Sequence, residues 1–385
     1  MASREHDSCV NALLKNERRP TETRHRLPRH RDGRTEPRNG NDGPRGRVKD
    51  IAMPTDDDAV DAAFERVVTH AVDDKAFVVP ADVVNDLVRE FSPGDVDAAL
   101  LKLAQRVAAW ARPPTSRFHV GAAALGVSGS VYLGVNVELR EVPLNHSIHA
   151  EQSALVNASS HGERKIIAIA TTEAPCGHCR QFMNELRDGL DLRCVTKNWR
   201  LTLRDLLPHA FGPMDLLEGD ETGGKLMLED QGRLGKSWGS EAATVVYRDD
   251  AGVEDAVSTP RPVKELVREE DAFWSLAEMA HEALEKAYAP YSKSRAGIAV
   301  RTSCGETMTG WTLECAAYNP SMSPLQCVIT RMVAQGKSLE DIEHVLLIEL
   351  DDAHVKYDCT VRLTLAKIAP KAKLLILNYH DEVHG

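Results

Sequence analysis

The chain has 385 residues, of which 42% are hydrophobic and 27% charged, proportions that are typical of a globular protein with two or three domains. No stretch approaches the roughly 18 consecutive apolar residues of a membrane-spanning helix, so we expect no membrane insertion. The net charge of −11 conceals an asymmetry: residues 1–52 carry 13 Lys/Arg and 8 Asp/Glu, a net of +5, and the rest of the chain carries −16. An acidic body disfavours nucleic-acid partners, whose phosphates require clustered Lys and Arg, and favours a small-molecule ligand.

The N-terminal 52 residues form a basic tail rich in Arg, Asn, Asp, Gly and Pro, and we expect this tail to be disordered. The first 30 residues lack the apolar segment of a signal peptide, so a cytoplasmic location with reduced thiols is expected. Of the eight cysteines, Cys176 and Cys179 form a close pair. In a reducing compartment such a pair indicates a metal or redox site.

The predicted elements follow in chain order. A helical pattern covers 56–110, with a break at 92–95 that starts a second helix over 96–111. Strands at 119–127 and 131–137, a helix at 149–159, a strand at 166–170 and a helix at 175–186, whose first turn holds Pro175, come next. The stretch 217–268, rich in Gly, Asp and Glu, is interpreted as a linker or insertion with one strand at 243–247.

An internal repeat relates two parts of the chain. Residues Pro114, Ser116, Arg117, Gly121, Gly134 and Glu138 recur as Pro290, Ser292, Lys293, Gly297, Gly310 and Glu314, always 176 positions later. A constant offset indicates two copies of one unit, and the alternation of strands with helices predicts an α/β fold for each. The second copy extends from about residue 269 to the end of the sequence.

A His and two Cys stand at the starts of two predicted helices. His149 opens one helix, and Cys176 and Cys179 open the next. The strand at 166–170 lies between, so both helix N-termini should emerge on one side of the sheet. One His and two Cys make a three-ligand zinc site with an open fourth position, as in catalytic zinc centres, and the positive end of a helix favours thiolates. Glu151 is placed to transfer protons beside the metal without binding it.

Longer strings carry a resemblance to a known family, because H-A-E followed by P-C-x-x-C is the signature of zinc nucleobase deaminases. The strings are S-R-F-H-V-G-A at 116–122, G-V-N-V-E at 134–138, H-A-E-Q-S-A at 149–154, P-C-G-H-C-R-Q-F-M-N-E-L at 175–186 and A-F-G-P at 210–213. Together they resemble cytidine deaminase of the larger, two-domain homodimeric kind. The resemblance is close over about 90–215 and looser in the second copy.

The resemblance implies a duplicated three-layer α/β/α unit with a mixed sheet, preceded by a small helical region. The expected domains are a tail at 1–52, a helical region at 53–112, a catalytic domain at 113–216, a linker or insertion at 217–268 and a degenerate second deaminase-like domain at 269–385. It also implies deamination of cytidine and deoxycytidine in pyrimidine salvage, by attack of zinc-bound hydroxide on C4, in a cytoplasmic homodimer that takes a nucleoside substrate.

The resemblance also implies the roles of individual residues. One Zn²⁺ per chain is expected on His149, Cys176 and Cys179, and Glu151 is expected to protonate the ring nitrogen and assist the loss of ammonia. The expected substrate-binding residues are Phe118 near the base, Asn136 and Glu138 at the ribose, the backbone of Ala150 and Ala174 at the pyrimidine edge, and Phe211, near a site of this chain or of a partner subunit.

The second copy lacks the chemistry of the first. Allowing a one-residue deletion, Pro324 falls opposite His149 and Gln326 opposite Glu151, and no Cys-x-x-Cys follows the predicted strand at 345–350. We therefore expect no catalytic zinc there, only a scaffold. Three alternatives stay open for the whole chain: a deaminase of RNA or DNA, a Cys-x-x-Cys redox protein, and a catalytically silent scaffold protein.

Overall fold

The computed structural model describes residues 56–74, 77–217, 225–232, 242–248, 261–267 and 272–379. The predicted tail at 1–52 and much of the predicted insertion at 217–268 lie outside the described residues. Within the described ranges, no helix combines the length and the apolar character that crossing a membrane requires.

The N-terminal region contains three helices and a short strand. In chain order these are α1 (Asp56–Asp74), β1 (Val78–Val79), α2 (Ala81–Phe91) and α3 (Val96–Val107). The sequence predicted helix throughout 56–91, and this was wrong at β1. Phe77 has a left-handed φ of 65°, and Pro80 has no N–H to continue a helix, so the chain extends between them. Val78 pairs there with Tyr132 at the edge of a sheet.

Helix α3 shows how the sequence forms a buried helix. The Asp95 side chain caps its start by accepting the backbone N–H of Ala98 at 3.0 Å. Leu100, Leu103 and Val107 lie at three- and four-residue spacing and are fully buried. Burial of each such side chain contributes about 1.5–3 kcal/mol, so this face anchors the helix on the sheet.

The first sheet belongs to the copy that holds the predicted metal ligands. Its further elements are β2 (Gly121–Gly126), β3 (Val131–Val135), α4 (Ala150–Ser160), β4 (Ile166–Thr171), α5 (Gly177–Met183), β5 (Arg193–Val195), β6 (Arg200–Thr202), α6 (Leu203–Leu206) and α7 (Pro213–Leu216). The strand order is β1-β3-β2-β4-β5-β6. Strand β4 is antiparallel to β2 and parallel to β5, so the sheet is mixed, as predicted.

The second sheet repeats this arrangement. Its elements are β7 (Ala242–Arg248), β8 (Arg261–Pro262), α8 (Val263–Leu266), α9 (Trp274–Glu285), β9 (Ala296–Thr302), β10 (Thr307–Trp311), α10 (Pro324–Ala334), β11 (Ile342–Leu350), α11 (Asp358–Ile368) and β12 (Lys373–Tyr379). Its strand order is β10-β9-β11-β12-β7-β8. The run β10-β9-β11-β12 has the order and the directions of β3-β2-β4-β5, which confirms the duplicated α/β unit.

Two glycines in the first copy set how closely helices approach its sheet. Gly134 pairs with Ala122, the neighbour of Gly121, so the two glycines face opposite sides. A Cβ on Gly121 would lie 2.0 Å from the carbonyl oxygen of Ala104 in α3. A Cβ on Gly134 would lie 2.4 Å from the carbonyl oxygen of Ala150 in α4. Helices α3 and α4 therefore cover opposite faces and give the three layers.

The recurring glycines pack in the same way in the second copy. A Cβ on Gly297 would lie 2.2 Å from the carbonyl oxygen of Ala280 in α9, and one on Gly310 would lie 2.3 Å from that of Pro324 in α10. The 176-residue recurrence of these glycines thus has a physical cause, since a side chain at either position would push a helix off its sheet.

The helix starts correct the residue alignment of the two copies. His149 is the N-cap of α4 and Ser323 is the N-cap of α10, and a Gln stands at the third helical position of each. Ser323 is therefore the counterpart of His149, and Leu325 that of Glu151, so the predicted alignment through Pro324 and Gln326 was wrong by one residue. The predicted loss of the metal ligand and of the acid is unchanged.

The two copies contact each other reciprocally through α4 and α10. The Gln152 side-chain amide donates to the carbonyl oxygen of Pro320 at 2.9 Å, and that of Gln326 donates to the carbonyl oxygen of His146 at 3.2 Å. These four residues match under the corrected alignment, so the pairing is a local pseudo-twofold.

Replacement of Gly134 by Ala should destabilise the fold by about 1–3 kcal/mol, because the new methyl would collide with the α4 backbone. Gly310→Ala should have a similar effect at α10. Val127→Ala, at a side chain that is 56% exposed, should change stability by less than about 0.5 kcal/mol. Urea denaturation measures all three, and equal midpoints would refute the close-packing argument.

Candidate metal centre and adjoining cavity

Two helix N-termini meet at one end of the first sheet. His149 caps α4 and Cys176 caps α5, and both have extended backbones at the cap position. Cys179 follows within α5 and is buried. The predicted helix over 175–186 was too long, because α5 begins after Cys176 and Pro175 precedes it rather than occupying its first turn.

The three predicted donors are brought together. Cys176 Sγ lies 3.5 Å from His149 Nδ1 and 3.7 Å from Cys179 Sγ. All three donor atoms lie within 4.8 Å of one another. Tetrahedral zinc with bonds of about 2.3 Å to sulfur and 2.0–2.1 Å to nitrogen requires S···N and S···S separations of roughly 3.6 and 3.8 Å. The donor set and its spacing therefore fit zinc, with one coordination position left for a ligand.

The cluster has no equivalent elsewhere in the part of the chain that the structure describes, the second copy included. The group itself contains three donors, and a closed structural zinc site needs four. Because His149 completes the Cys pair, the arrangement does not favour the redox alternative.

The two thiols of the pair differ in acidity. The hydrogen bond between the Cys176 and Cys179 side chains, together with that between Cys176 and His149, lowers the pKa of Cys176 to about 3. The same Cys176–Cys179 bond and burial raise the pKa of Cys179, and the Cys176 bond raises the pKa of His149. The pair therefore holds one thiolate and one thiol, and metal binding would displace the second thiol proton.

Glu151 lies in the first turn of α4, next to the donors but outside the donor set. Its side chain is buried, with 5% exposed, and burial raises its pKa although a hydrogen bond with Cys179 opposes this. A carboxyl whose pKa is raised holds a proton more readily than an exposed carboxyl, which suits a group that transfers protons. The structure thus places Glu151 beside the predicted metal ligands, and its role is a proposal.

Gln152 ties the metal ligand to its surroundings. Its side-chain oxygen accepts the backbone N–H of His149 at 3.1 Å, and its amide nitrogen lies 3.2 Å from His178 Nε2. The His178 ring stacks on that of His149, with centroids 5.0 Å apart. His178 thus packs against a predicted metal ligand and lies outside the candidate donor group.

A cavity of 420 Å³ opens beside this cluster. The predicted site residues that line it are Phe118, Asn136, Glu138, His149, Ala150, Glu151, Ala174 and Cys176. Its other lining residues are Ser116, Val120, Ser147, Ile148 and Glu173. A larger cavity of 820 Å³ lies elsewhere, between α9 and residues 228–232, and lacks the donor cluster. The smaller cavity is therefore the candidate site.

The cavity wall carries two polar side chains that are already held by the protein. Glu138 accepts backbone N–H groups from Thr115 at 2.8 Å and Ser116 at 2.9 Å, and also accepts the Ser116 hydroxyl. Burial opposes ionisation, but these bonds outweigh it and lower the pKa of Glu138. Asn136 accepts the Val120 N–H and donates to the Phe118 carbonyl oxygen, both at 2.9 Å. Both predicted polar residues thus face the cavity from fixed positions.

Phe211 does not line this cavity. Its side chain is 48% exposed, and its carbonyl oxygen accepts hydrogen bonds from the side chains of Gln181 and Asn184. A role for Phe211 at a site of this chain has no support from the geometry, and a role at a partner subunit stays a prediction.

Sequence reasoning missed the supporting residues of the site, chiefly Ser116, Gln152 and Glu173. For Ser116 a signal existed, because Ser116 and Glu138 recur together as Ser292 and Glu314. For Gln152 no such signal existed, because its side chain donates to Pro320, which lies 168 positions away in the sequence.

Comparison with known proteins gives matches over both copies. Two family models, both described as the cytidine and deoxycytidylate deaminase zinc-binding region, match residues 95–190 and 203–362 respectively. Cytidine deaminase 1 of Arabidopsis thaliana is 33% identical over 80% of this chain and 100% of its own length. Cytidine deaminase of Pectobacterium carotovorum is 36% identical over 77% of this chain and 87% of its own. A crystal structure of cytidine deaminase from Mycobacterium tuberculosis is 36% identical, covers 30% of this chain and 96% of its own, and has a TM-score of 0.28.

Cys176→Ala should abolish stable zinc binding, because it removes the donor that contacts both other ligands. We expect about one zinc per chain in the wild type after dialysis against a weak chelator, and little in the variant, as measured by atomic emission. Cys359→Ala, at an exposed thiol of α11, is the matched control and should keep its zinc. Full zinc content in the Cys176 variant would refute the assignment.

Proposed function

This chain belongs to the cytidine and deoxycytidylate deaminase family and is a zinc-dependent enzyme, and on that premise we propose that it hydrolyses cytidine and deoxycytidine to uridine and deoxyuridine with release of ammonia. The family membership predicted from the sequence strings is thereby confirmed, as are the predicted duplicated α/β fold and the predicted use of zinc. One observation carries the proposal: a buried carboxyl, Glu151, adjoins a His/Cys/Cys donor set at a 420 Å³ cavity.

His149, Cys176 and Cys179 would hold the zinc. When bound, zinc supplies a Lewis acid that lowers the pKa of water and so makes it nucleophilic near neutral pH. Glu151 takes a proton from the attacking water and delivers it to N3 of the base. It then takes the remaining proton from the new hydroxyl at C4 and transfers it to the amino group, the C4–N bond breaks with loss of ammonia, and the water oxygen remains as the carbonyl of the uracil ring.

The Asn136–Glu138 pair supports a sugar hydroxyl as the second recognition group. A carboxylate offers about four acceptor positions, and three are taken by Thr115 and Ser116. The Asn136 amide retains one N–H beyond its bond to Phe118. One ribose hydroxyl can donate to Glu138 and accept from Asn136, whereas a free base has no such hydroxyl.

The charge of the cavity favours a nucleoside over a nucleotide or a polynucleotide. Glu138, Glu151 and Glu173 line it, and the lining contains no Lys or Arg among the described residues. A 5′-phosphate near Glu138 would therefore meet a like charge with no Lys or Arg to offset it, and a nucleic-acid strand would lack the basic groove that binds its backbone. The RNA or DNA deaminase alternative gains no support from this surface.

A cytoplasmic role in pyrimidine salvage is part of the proposal. The reaction acts on free nucleosides, which salvage recovers. The cysteines that the structure describes are all free thiols, which suits a reducing compartment.

We further propose that the enzyme acts as a homodimer. The segment around α7 presents three exposed apolar side chains, Phe211, Met214 and Leu216, with 48%, 74% and 39% of their surface accessible. Exposed apolar side chains in one segment are typical of an interaction surface. The anchored Phe211 backbone would hold its ring in place for a partner subunit.

Glu151→Gln should keep the fold and the zinc and yet lose about 10²- to 10⁴-fold in turnover, because the amide cannot transfer the protons. Ultraviolet absorbance follows cytidine loss by the zinc-loaded wild type and variant, and metal analysis checks the zinc content. Retained turnover in the variant would remove the proton-transfer role. A folded, zinc-loaded wild type that does not convert cytidine would refute the proposed function.

Phe211→Ala should weaken self-association and raise the KM for cytidine, because it removes an apolar side chain from the proposed subunit contact. Light scattering should give twice the chain mass for the wild type and a smaller mean mass for the variant. Leu363→Ala, which removes another exposed apolar side chain in α11, should leave both unchanged. A monomeric wild type with full activity would contradict the dimer.

A further inference from the structure

The Ser116 hydroxyl joins two parts of the nucleoside site that are otherwise separate. It donates to Glu138, and it accepts the backbone N–H of Phe118 at 3.1 Å. The Phe118 carbonyl oxygen accepts from Asn136. Both backbone polar groups of Phe118 are thus fixed by side chains of the cavity wall, while its ring remains 54% exposed.

The backbone between Ser116 and Phe118 follows a sharp turn that needs such support. Arg117 has φ of 59°, in the left-handed region that a residue with a Cβ seldom adopts. The Ser116 hydroxyl spans this residue, because it accepts the N–H of Phe118 while it donates to Glu138. Without the hydroxyl, Glu138 keeps only the backbone N–H groups of Thr115 and Ser116, and the Phe118 N–H loses its acceptor.

The second copy contains the same hydrogen-bond arrangement. Glu314 accepts the N–H groups of Tyr291 at 2.9 Å and Ser292 at 3.2 Å together with the Ser292 hydroxyl, and Ser292 Oγ accepts the N–H of Ser294 at 3.0 Å. Lys293 repeats the left-handed φ, at 57°. The hydrogen-bond pattern of the turn is therefore common to both copies.

The residues that would contact a ligand are not common to both copies. Ser294 stands at the position of Phe118, and Thr312 at that of Asn136. Glu314 is only 6% exposed, so a ligand has little access to it. Because the serine–glutamate pair persists without ligand-binding neighbours, its first effect is to build the turn. In the first copy the same turn carries the aromatic residue and the carboxylate that face the cavity.

We propose that Ser116 is a positioning residue for nucleoside binding: its hydroxyl bonds to both the Glu138 carboxylate and the Phe118 backbone and so fixes their positions relative to each other in the cavity wall. This rests on the proposed function, since it assumes that these groups receive a nucleoside. Ser116 acts through preorganisation rather than through contact, because the free acceptor of Glu138 and the Phe118 ring reach the ligand in its place.

Ser116→Ala tests the proposal with Ser292→Ala as its matched control, since each removes one hydroxyl that makes the same bonds in its own copy. The zinc-loaded full chain is titrated calorimetrically with uridine, and KM and kcat are measured for cytidine. We expect Ser116→Ala to raise the Kd and the KM about five- to tenfold with kcat changed less than about twofold. Ser292→Ala should leave both unchanged, and Ser116→Thr should restore wild-type binding.

Thermal unfolding separates positioning from stability. Both alanine variants should lower the Tm by similar amounts, because both turns lose the same bonds. Equal uridine affinity in the two alanine variants, or a Ser116→Ala variant that loses kcat with its KM unchanged, would overturn the proposal. A wild type that binds uridine but does not turn over cytidine would overturn the proposed function alone. The effect of Ser116 on uridine affinity can then still be measured by calorimetry. A wild type that binds no uridine overturns both.

Discussion

The close approach of α4 to Gly134 is the constraint on which the site depends. The carbonyl oxygen of Ala150 lies where a Cβ on Gly134 would stand, so the first turn of α4 is fixed against the sheet. That turn carries His149 and Glu151, and the start of α5 brings Cys176 to His149 at 3.5 Å. Because the donors come from two helix starts, their spacing is set by how the helices pack on the strands rather than by a flexible loop.

The two copies share the same packing, but only the first copy carries the candidate site. The second copy keeps the glycine contacts, the strand order and the serine–glutamate turn, but its N-cap is Ser323 and Leu325 occupies the position of the acid. The second copy contributes hydrogen bonds to the first copy. Its Pro320 holds Gln152, and its Tyr288 and Tyr291 donate hydroxyls to the buried Glu185 of the first copy. The degenerate copy therefore supports the metal-binding copy through reciprocal bonds.

Electrostatics distinguishes the site from its setting. The chain after residue 52 has a net negative charge, and the cavity lining is acidic as well, with the side chains of Glu138, Glu151 and Glu173. Two of these carboxyls differ because their surroundings differ: hydrogen bonds lower the pKa of Glu138, whereas burial raises the pKa of Glu151. In the proposed reaction Glu138 is a fixed acceptor and Glu151 a proton carrier, a division that residue type alone does not reveal.

The sequence by itself predicted the candidate metal donors and the carboxyl beside them, and it determined the duplication and the order of most elements, because each depends on local chemistry or on a periodic pattern. Three features were decided only by the tertiary structure. Strand β1 forms at the sheet edge by pairing with Tyr132, the helix starts place Ser323 opposite His149, and Phe118 is held by Ser116 and Asn136. Each of these depends on contacts between segments, whose free energy arises only when the sheet and its helices have assembled.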